Sequence, residues 1–254
     1  MMIKLLFVSL ASAAAFVPKA NPILRPVKLR STLHDVRESK GELLKICRSV
    51  TVGNTMPDEL ATQIRGCVEK IESASSQQSL KDSLTHFDGE WTMLYSTLPA
   101  FFKRIALRDL SAGTIPSEEP LILINCVKQV VKHTESGIYQ YDNLVEFNCG
   151  RDHAAEPPIA GLHITRGTAE LNAPESAEKT VRFNVAFYEN EASPASYWKA
   201  DADNFKKLFG FKPDDALLGK YPAAFKSWSD IVYLDEDLRI MRGGKGNIYI
   251  LTKK

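Results

Sequence analysis

The sequence lacks the short motifs that accompany the common kinds of catalytic site. It has no G-x-S-x-G nucleophile turn, no H-E-x-x-H zinc motif and no phosphate-binding loop with Ser or Thr after the Lys. The five histidines are scattered, and no Cys-x-x-Cys pair occurs that would suggest a metal site. We therefore predict no catalytic residue, no metal site and no cofactor, and a protein that is not an enzyme.

Positive charge is also scarce in the body of the chain. The formal net charge is +1, from 32 basic and 31 acidic residues. Five of the basic residues and none of the acidic ones lie in residues 1–34, which leaves 27 basic against 31 acidic residues, a net charge of about −4, over residues 35–254. Nucleic-acid binding requires a basic face, so we exclude a nucleic-acid partner.

The few polar clusters and cysteines have ordinary structural explanations. Cys47, Cys67, Cys126 and Cys149 show no ligand spacing and are expected to be mostly buried, reduced thiols. The carboxylates of residues 235–237 could do acid–base work, but a solvated turn between strands is favoured. The glycine-rich residues 242–247 are interpreted as a hairpin turn rather than a phosphate cradle.

The first 34 residues read as a targeting leader. Residues 1–15 combine one Lys, a short apolar run and small residues up to Ala15, which predicts a signal peptide with an apolar stretch too short to span a bilayer. Residues 16–34 hold four basic residues, three prolines and no acid, which is typical of a transit peptide. The junction around Phe16 resembles the bipartite leaders of algae whose plastids are of secondary origin. We therefore predict such a plastid and exclude residues 1–34 from the fold.

Two helices are predicted after the leader. Ser39 with Glu42, and Thr55 with Asp58, have the spacing of capping boxes, and apolar residues at helical spacing follow each of them. They predict helices over residues 39–50 and 56–73, with a linker or short third helix up to residue 83.

From residue 89 the apolar period changes from 3.6 to 2, which indicates strands. Trp91, Met93 and Tyr95 alternate with smaller or polar residues, and similar runs occur near residues 181–188, 238–241 and 248–251. Further strands are expected over residues 104–110, 121–132, 139–147, 162–171 and 230–235. Eight or nine antiparallel strands must stack or close, and we predict a mainly β, lipocalin-like barrel over residues 89–254, preceded by the helices of residues 39–83 in one domain over residues 35–254.

One stretch, residues 193–227, interrupts the strand pattern. Residues 201–209 predict a short amphipathic helix, and Tyr221 and Phe225 continue an apolar excursion. We interpret the stretch as a loop packed over the barrel, with an apolar lid or a lipid-surface contact as the alternative.

Three stretches of the body carry a resemblance to a known family. Residues 233–251 follow the pattern Tyr-Leu-Asp-x-x-Leu-Arg-Ile-x-Arg-Gly, a turn and an apolar strand; residues 89–97 begin Gly-x-Trp; and residues 143–146 read Asn-Leu-Val-Glu. Over about residues 40–254 the chain resembles the plastid lipid-associated protein (fibrillin) family. The resemblance implies a non-enzymatic protein of thylakoids or plastoglobules that binds prenylquinones, carotenoids or fatty acids.

Candidate ligand contacts follow from the predicted barrel and this resemblance. The aromatic residues expected near an apolar ligand are Trp91, Tyr95, Phe183, Phe187, Tyr233 and Tyr249, with simple filling of the core as the alternative. Arg239 and Asp235 match the family motif and are expected to form a structural pair or a polar handle at the barrel mouth. Arg242 and Gly243 belong to the same structural motif.

Two other functions stay open at this point. The first is a lipocalin-like enzyme or chromophore-attaching protein that acts on a carotenoid or a tetrapyrrole, for which Cys126 and Cys149 are the nearest reactive candidates. The second is a ligand-free scaffold for a lipid-synthesising enzyme, in which side chains fill the barrel.

Overall fold

A closed antiparallel β-barrel forms the body of the protein, and helices precede it, as predicted. The computed structural model describes residues 28–50, 56–75, 80–115, 121–134, 137–149, 159–172, 180–195, 199–210 and 219–253. The predicted signal peptide of residues 1–15, and the leader as far as residue 27, lie outside these ranges. Among the described residues, no helix combines the length and apolar character needed to cross a bilayer.

Nine strands, five α-helices and two short 3₁₀ helices (Leu84–His86 and Pro99–Phe101) make up the regular structure of the described residues. The strands are β1 (Gly89–Ser96), β2 (Ile105–Ala106), β3 (Leu121–His133), β4 (Tyr139–Cys149), β5 (Ile159–Asn172), β6 (Val181–Pro194), β7 (Gly219–Leu234), β8 (Leu238–Gly243) and β9 (Ile248–Lys253). The helices are α1 (Lys28–Ser49), α2 (Asp58–Ser75), α3 (Leu80–Ser83), α4 (Leu107–Leu110) and α5 (Lys199–Phe209).

Eight of the strands close the barrel. Their neighbour order is β1-β9-β8-β7-β6-β5-β4-β3, every pair is antiparallel, and β1 also pairs with β3. The short β2 pairs only with the start of β3. Because the first and last strands of the sheet pair with each other, the backbone groups of both edges are hydrogen-bonded.

Helices α1 and α2 pack on the outer face of the barrel. Leu43, Ile64 and Val68 meet apolar side chains of β8 and β9 in one buried cluster. The predicted capping box at Ser39 is wrong, because α1 begins at Lys28 and Ser39 lies buried inside the helix. The helix therefore also includes residues that we assigned to the leader.

Different elements cover the two ends of the barrel. At one end, called the closed end below, α3 and the 3₁₀ helix Leu84–His86 bring Phe87 against Phe183, with ring centroids 5.1 Å apart. At the other end, β3 to β7 are 11–16 residues long, whereas β1, β8 and β9 have six to eight. The inner face of β3 to β6 at this end packs against α4, α5 and residues around Phe101.

Two strand predictions needed correction. Of the strand predicted over residues 104–110, only Ile105–Ala106 is strand, and α4 follows. The interruption predicted over residues 193–227 is shorter, because β6 runs to Pro194 and β7 begins at Gly219. The helix predicted at 201–209 is confirmed as α5, and the predicted hairpin turn joins β8 to β9, with the Gly243 N–H donating to Asn247 O at 2.8 Å.

Candidate functional site

The barrel contains a cavity of about 220 Å³. Its wall is mainly apolar and aromatic, with Met93, Val127, Val145, Phe183, Val185 and Phe187 among the lining residues. None of the described residues that line it is Asp, Glu, Lys, Arg, His or Cys. A concave, mostly apolar site with a few polar groups is the usual form of a small-molecule site.

The cavity is covered by the segment that links β1 to β3. Leu98, Ala100, Phe101 and Leu110 of this cover segment (residues 97–115) line the cavity. Phe101 is buried and belongs to the apolar cluster that also includes α5.

Buried hydrogen bonds attach the cover segment to the barrel wall. Asn190 of β6 donates its amide to Thr114 Oγ1 at 2.6 Å and to Ser111 O at 3.1 Å. Its oxygen accepts from Thr165 Oγ1 of β5 at 2.8 Å. Because each of these buried polar groups finds a partner, they fix one position of the cover segment without an unsatisfied donor.

A buried arginine lies between the cavity and the closed end. Arg239 is 0% exposed, and its Nη2 donates to the Oε1 of Gln129. Its guanidinium carbon lies 4.7 Å from the ring centroid of Trp91 and 5.2 Å from that of Phe87, within the range of cation–π contacts. Its Nε and Nη1 have no hydrogen-bond partner. Burial lowers the pKa of Arg239 to about 10, so the side chain is still cationic at neutral pH.

The predicted ligand contacts fall into three groups. Phe183, Phe187 and Tyr249 line the cavity. Trp91 is inside the barrel but below the cavity, where its Nε1 donates to Phe87 O at 2.9 Å and where it contacts Arg239.

The remaining two, Tyr95 and Tyr233, pack in the cluster on the outer face, against α1 and α2. A β-bulge lies between Met93 and Tyr95, and another between Ile231 and Tyr233. Each bulge adds one residue to its strand, which turns the following side chains to the opposite face. The structure therefore places these two tyrosines outside the cavity.

Asp235 and Arg239 do not form the predicted pair. Asp235 accepts a hydrogen bond from Lys40 Nζ of α1 at 2.7 Å and another from Tyr233 Oη at 2.6 Å, whereas Arg239 points into the barrel. Burial acts to raise the pKa of Asp235, but hydrogen bonds led by that from Lys40 outweigh it and lower the pKa to about 2. Asp235 thus anchors α1 to the turn between β7 and β8, at the closed end rather than the mouth.

The other motif residues also have structural contacts. Arg242 forms a bidentate ion pair with Glu72 of α2, with Nε–Oε1 at 2.7 Å and Nη2–Oε2 at 3.0 Å. A side chain at Gly243 would place its Cβ 3.1 Å from the ring of Tyr249. The motif therefore holds α2 against β8 and leaves space for a cavity-lining tyrosine.

The polar part of the cavity was not predicted. Gln129, Tyr141 and Asn143 all line it, and Gln129 on β3 is in register with Asn143 on β4. The sequence did contain an indication for Gln129, because this residue alternates with Val127 and Val131 and therefore lies on a predicted core face.

The cysteines and histidines offer no reactive group at the cavity. Cys149 is buried and Cys126 is half-buried; neither forms a disulfide, and neither is among the lining residues. Burial raises the pKa of Cys149 to about 11, which keeps the thiol protonated and unreactive at neutral pH. Within the described ranges, no group of three His, Cys, Asp or Glu side chains could hold a metal ion.

Comparison with known proteins links this architecture to one family. A model of the PAP_fibrillin family matches residues 37–252. The chain is 22% identical over 223 residues to the probable plastid-lipid-associated protein 1, chloroplastic, of Arabidopsis thaliana, covering 80% of this chain and 64% of that protein.

Two further relatives carry related names. The chromoplast-specific carotenoid-associated protein, chromoplastic, of Cucumis sativus is 22% identical over 214 residues, with 74% of this chain and 58% of that protein covered. The light-induced protein, chloroplastic, of Solanum tuberosum is 23% identical over 228 residues, with 80% and 63% covered. The chain thus spans about three fifths of the length of these relatives. No solved structure matches.

Proposed function

Because the chain belongs to the plastid lipid-associated protein (fibrillin) family, we propose that it binds an apolar plastid lipid inside its barrel and catalyses no reaction. The observation that carries this proposal is the uncharged, mainly apolar cavity beneath the cover segment. The ligand classes to be tested are prenylquinones, carotenoids and fatty acids.

The size of the cavity favours an exchangeable ligand. A volume of about 220 Å³ is below the ~300–1,000 Å³ of ordinary ligand pockets, so it holds one end of a long lipid. At ~30 Å³ for each water-sized group, about seven methylenes fit. They contribute ~6 kcal/mol gross at ~0.8 kcal/mol each. Association costs at least ~4 kcal/mol of this, which leaves the modest affinity of a carrier or surface protein.

The lining also supports binding over chemistry. A chromophore-attaching protein needs a nucleophile at its ligand, yet neither Cys126 nor Cys149 is among the lining residues. The cavity offers only amide and hydroxyl groups, which can orient a ligand by hydrogen bonds.

The same proposal gives a cellular location. The names of the relatives include chloroplastic and chromoplastic, and the predicted leader of residues 1–34 fits import into a plastid of secondary origin. We place the protein in such a plastid, with the surface of thylakoids or plastoglobules as its proposed site of action.

A lipid-recovery experiment tests the proposal. The purified protein is incubated with a plastid lipid extract, re-purified, and extracted for mass spectrometry. Near-stoichiometric recovery of one lipid class supports the proposal and identifies the cargo. Protein that is empty but floats with lipid droplets contradicts an internal ligand and indicates a surface coat. Protein that is empty and does not float refutes lipid binding altogether and favours the scaffold.

A further inference from the structure

We propose that the floor of the cavity selects a ligand whose polar end is a carboxylate, through Gln129 and the cationic Arg239 behind it. The inference rests on the proposed lipid-binding function and narrows its ligand class. It separates an ionised fatty acid, or another lipid acid, from neutral lipids such as quinones and carotenoids.

Arg239 carries a buried positive charge. The side chain is 0% exposed, and two of its three nitrogens, Nε and Nη1, have no hydrogen-bond partner. Among the described residues it forms no ion pair, and its one hydrogen bond is to the neutral amide of Gln129. A buried, uncompensated charge is costly, and an anion placed near it recovers part of that cost.

Gln129 connects this charge to the cavity. Gln129 lines the cavity, and its Oε1 accepts the hydrogen bond from Arg239. Because the oxygen is used in that way, the other end of the amide, Nε2, presents donor hydrogens. A ligand atom that accepts a hydrogen bond from Nε2 is therefore separated from the Arg239 guanidinium only by the side chain of Gln129. In this water-poor interior the two charges interact strongly.

The two amide side chains that line the cavity lie on neighbouring strands. Gln129, Asn143 and Tyr141 lie together on β3 and β4, whereas the other polar lining residues are small serines of β1 and β7, Ser96, Ser227 and Ser229. Gln129 is also in register with Trp91, below the cavity. The cover segment contributes Leu98, Ala100, Phe101 and Leu110 at the other side. A lipid acid fits this arrangement with its carboxylate at the floor and its chain under the cover segment.

The test compares probes that share a twelve-carbon chain and differ in their polar end, of which only the acid is charged. Dodecanoic acid, methyl dodecanoate and dodecan-1-ol are titrated into the purified full-length protein at pH 8, where a carboxyl group is ionised. We expect the acid to bind at least about tenfold more tightly than the ester, since hydrogen bonds to charged groups are the stronger ones. Equal affinities for acid and ester would overturn the proposal.

Variants separate recognition from a structural role of the arginine. Arg239→Met removes the charge, and we expect acid and ester to bind equally. Gln129→Glu keeps an acceptor for Arg239 and supplies an internal carboxylate, so we expect a higher melting temperature and loss of the preference for the acid. Because Gln129→Glu is expected to fold even if Arg239→Met does not, a retained preference in that variant would refute the proposal.

A control and a second arm complete the design. Lys226→Met removes a positive charge from an exposed position on β7 that does not line the cavity, and the acid preference should persist. Loss of the preference in this control would show that overall charge, rather than Arg239, produces it. If acid, ester and alcohol all fail to bind, lipid binding itself is refuted. If the ester and alcohol bind as well as the acid, only the carboxylate proposal fails.

Discussion

Arg239 stacks against Trp91, with the guanidinium carbon 4.7 Å from the ring centroid. The two side chains come from β8 and β1, which are neighbours of β9 on either side, and they meet inside the barrel. Arg239 belongs to the stretch of residues 233–251 and Trp91 to that of residues 89–97, two of the three stretches that carried the family resemblance. These motifs therefore encode the closed end of the barrel, which forms the floor beneath the cavity.

Replacing Trp91 should strongly destabilise the protein. Trp91 is 0% exposed and also supplies the hydrogen bond to Phe87 O, so Trp91→Ala should lower the free energy of unfolding by about 3–5 kcal/mol in urea titrations. Trp228, which is 38% exposed and stacks with Arg182, provides the matched control, and Trp228→Ala should cost clearly less than Trp91→Ala. Similar losses in the two variants would contradict the assignment of Trp91 to the core.

Asp235 should stabilise the fold at neutral pH. Its pKa of about 2 lies below the unfolded value of ~3.9, so its contribution is complete above pH ~4 and is lost as the pH falls towards 2. Asp235→Asn, which keeps an oxygen for the turn, should be less stable by about 2 kcal/mol at pH 7, and this deficit should shrink towards zero as the pH falls through 2. Urea titrations across this range test it, with Glu236→Gln, an exposed neighbour, as control. A deficit that did not vary with pH would show that the charge contributes nothing.

The buried His163 should produce a pH effect in a different window. Burial lowers its pKa to about 4, so the unfolded chain, with a value of ~6.5, binds more protons between these limits. Stability should therefore fall as the pH drops from ~6.5 to ~4, by on the order of 3 kcal/mol. We expect His163→Leu to remove this slope and His133→Gln, at an exposed position, to leave it intact. Thermal melts at half-unit pH intervals measure this slope. A slope that persists in His163→Leu would contradict the assignment to His163.

Two glycine substitutions should have opposite signs. A Cβ at Gly161 of β5 would lie 2.3 Å from the Phe147 ring and 2.9 Å from that of Phe205 on α5, so Gly161→Ala should cost about 1–3 kcal/mol. Gly66 of α2 has no atom within 4 Å of its Cβ position, and Gly66→Ala should stabilise the helix by about 0.5–1 kcal/mol. Chemical denaturation measures both, and a neutral Gly161→Ala would refute the close packing of α5 on the barrel.

The alternation of the sequence predicted the barrel well but not its irregularities. Period-2 runs predicted the strands of Phe183, Phe187 and Tyr249, and these side chains do line the cavity. The same rule put Tyr95 and Tyr233 on the inner face, and a bulge in each strand reverses them. A bulge depends on how a strand pairs with its neighbours, so the local residue pattern does not reveal it.

Other errors had local causes. Ser39 and Glu42 have the spacing of a capping box, yet helical sequence continues on both sides and α1 begins at Lys28. The first half of β7 was missed because it contains Pro222, which is unusual in a strand and here pairs with Glu189 beside a bulge in β7. The polar floor was missed because a single Gln among apolar residues does not reveal that an arginine from a distant strand lies behind it.

The most direct test of the account is whether a bound lipid occupies the barrel cavity. Val185 lines the cavity, whereas its neighbour Ala186 is exposed on the same strand. We would load the native protein, Val185→Phe and Ala186→Phe with the same plastid lipid extract and quantify the lipid retained per protein. We predict that Val185→Phe, which fills part of the cavity, retains much less lipid, while Ala186→Phe matches the native protein. Equal retention by all three folded proteins would contradict a ligand inside the barrel.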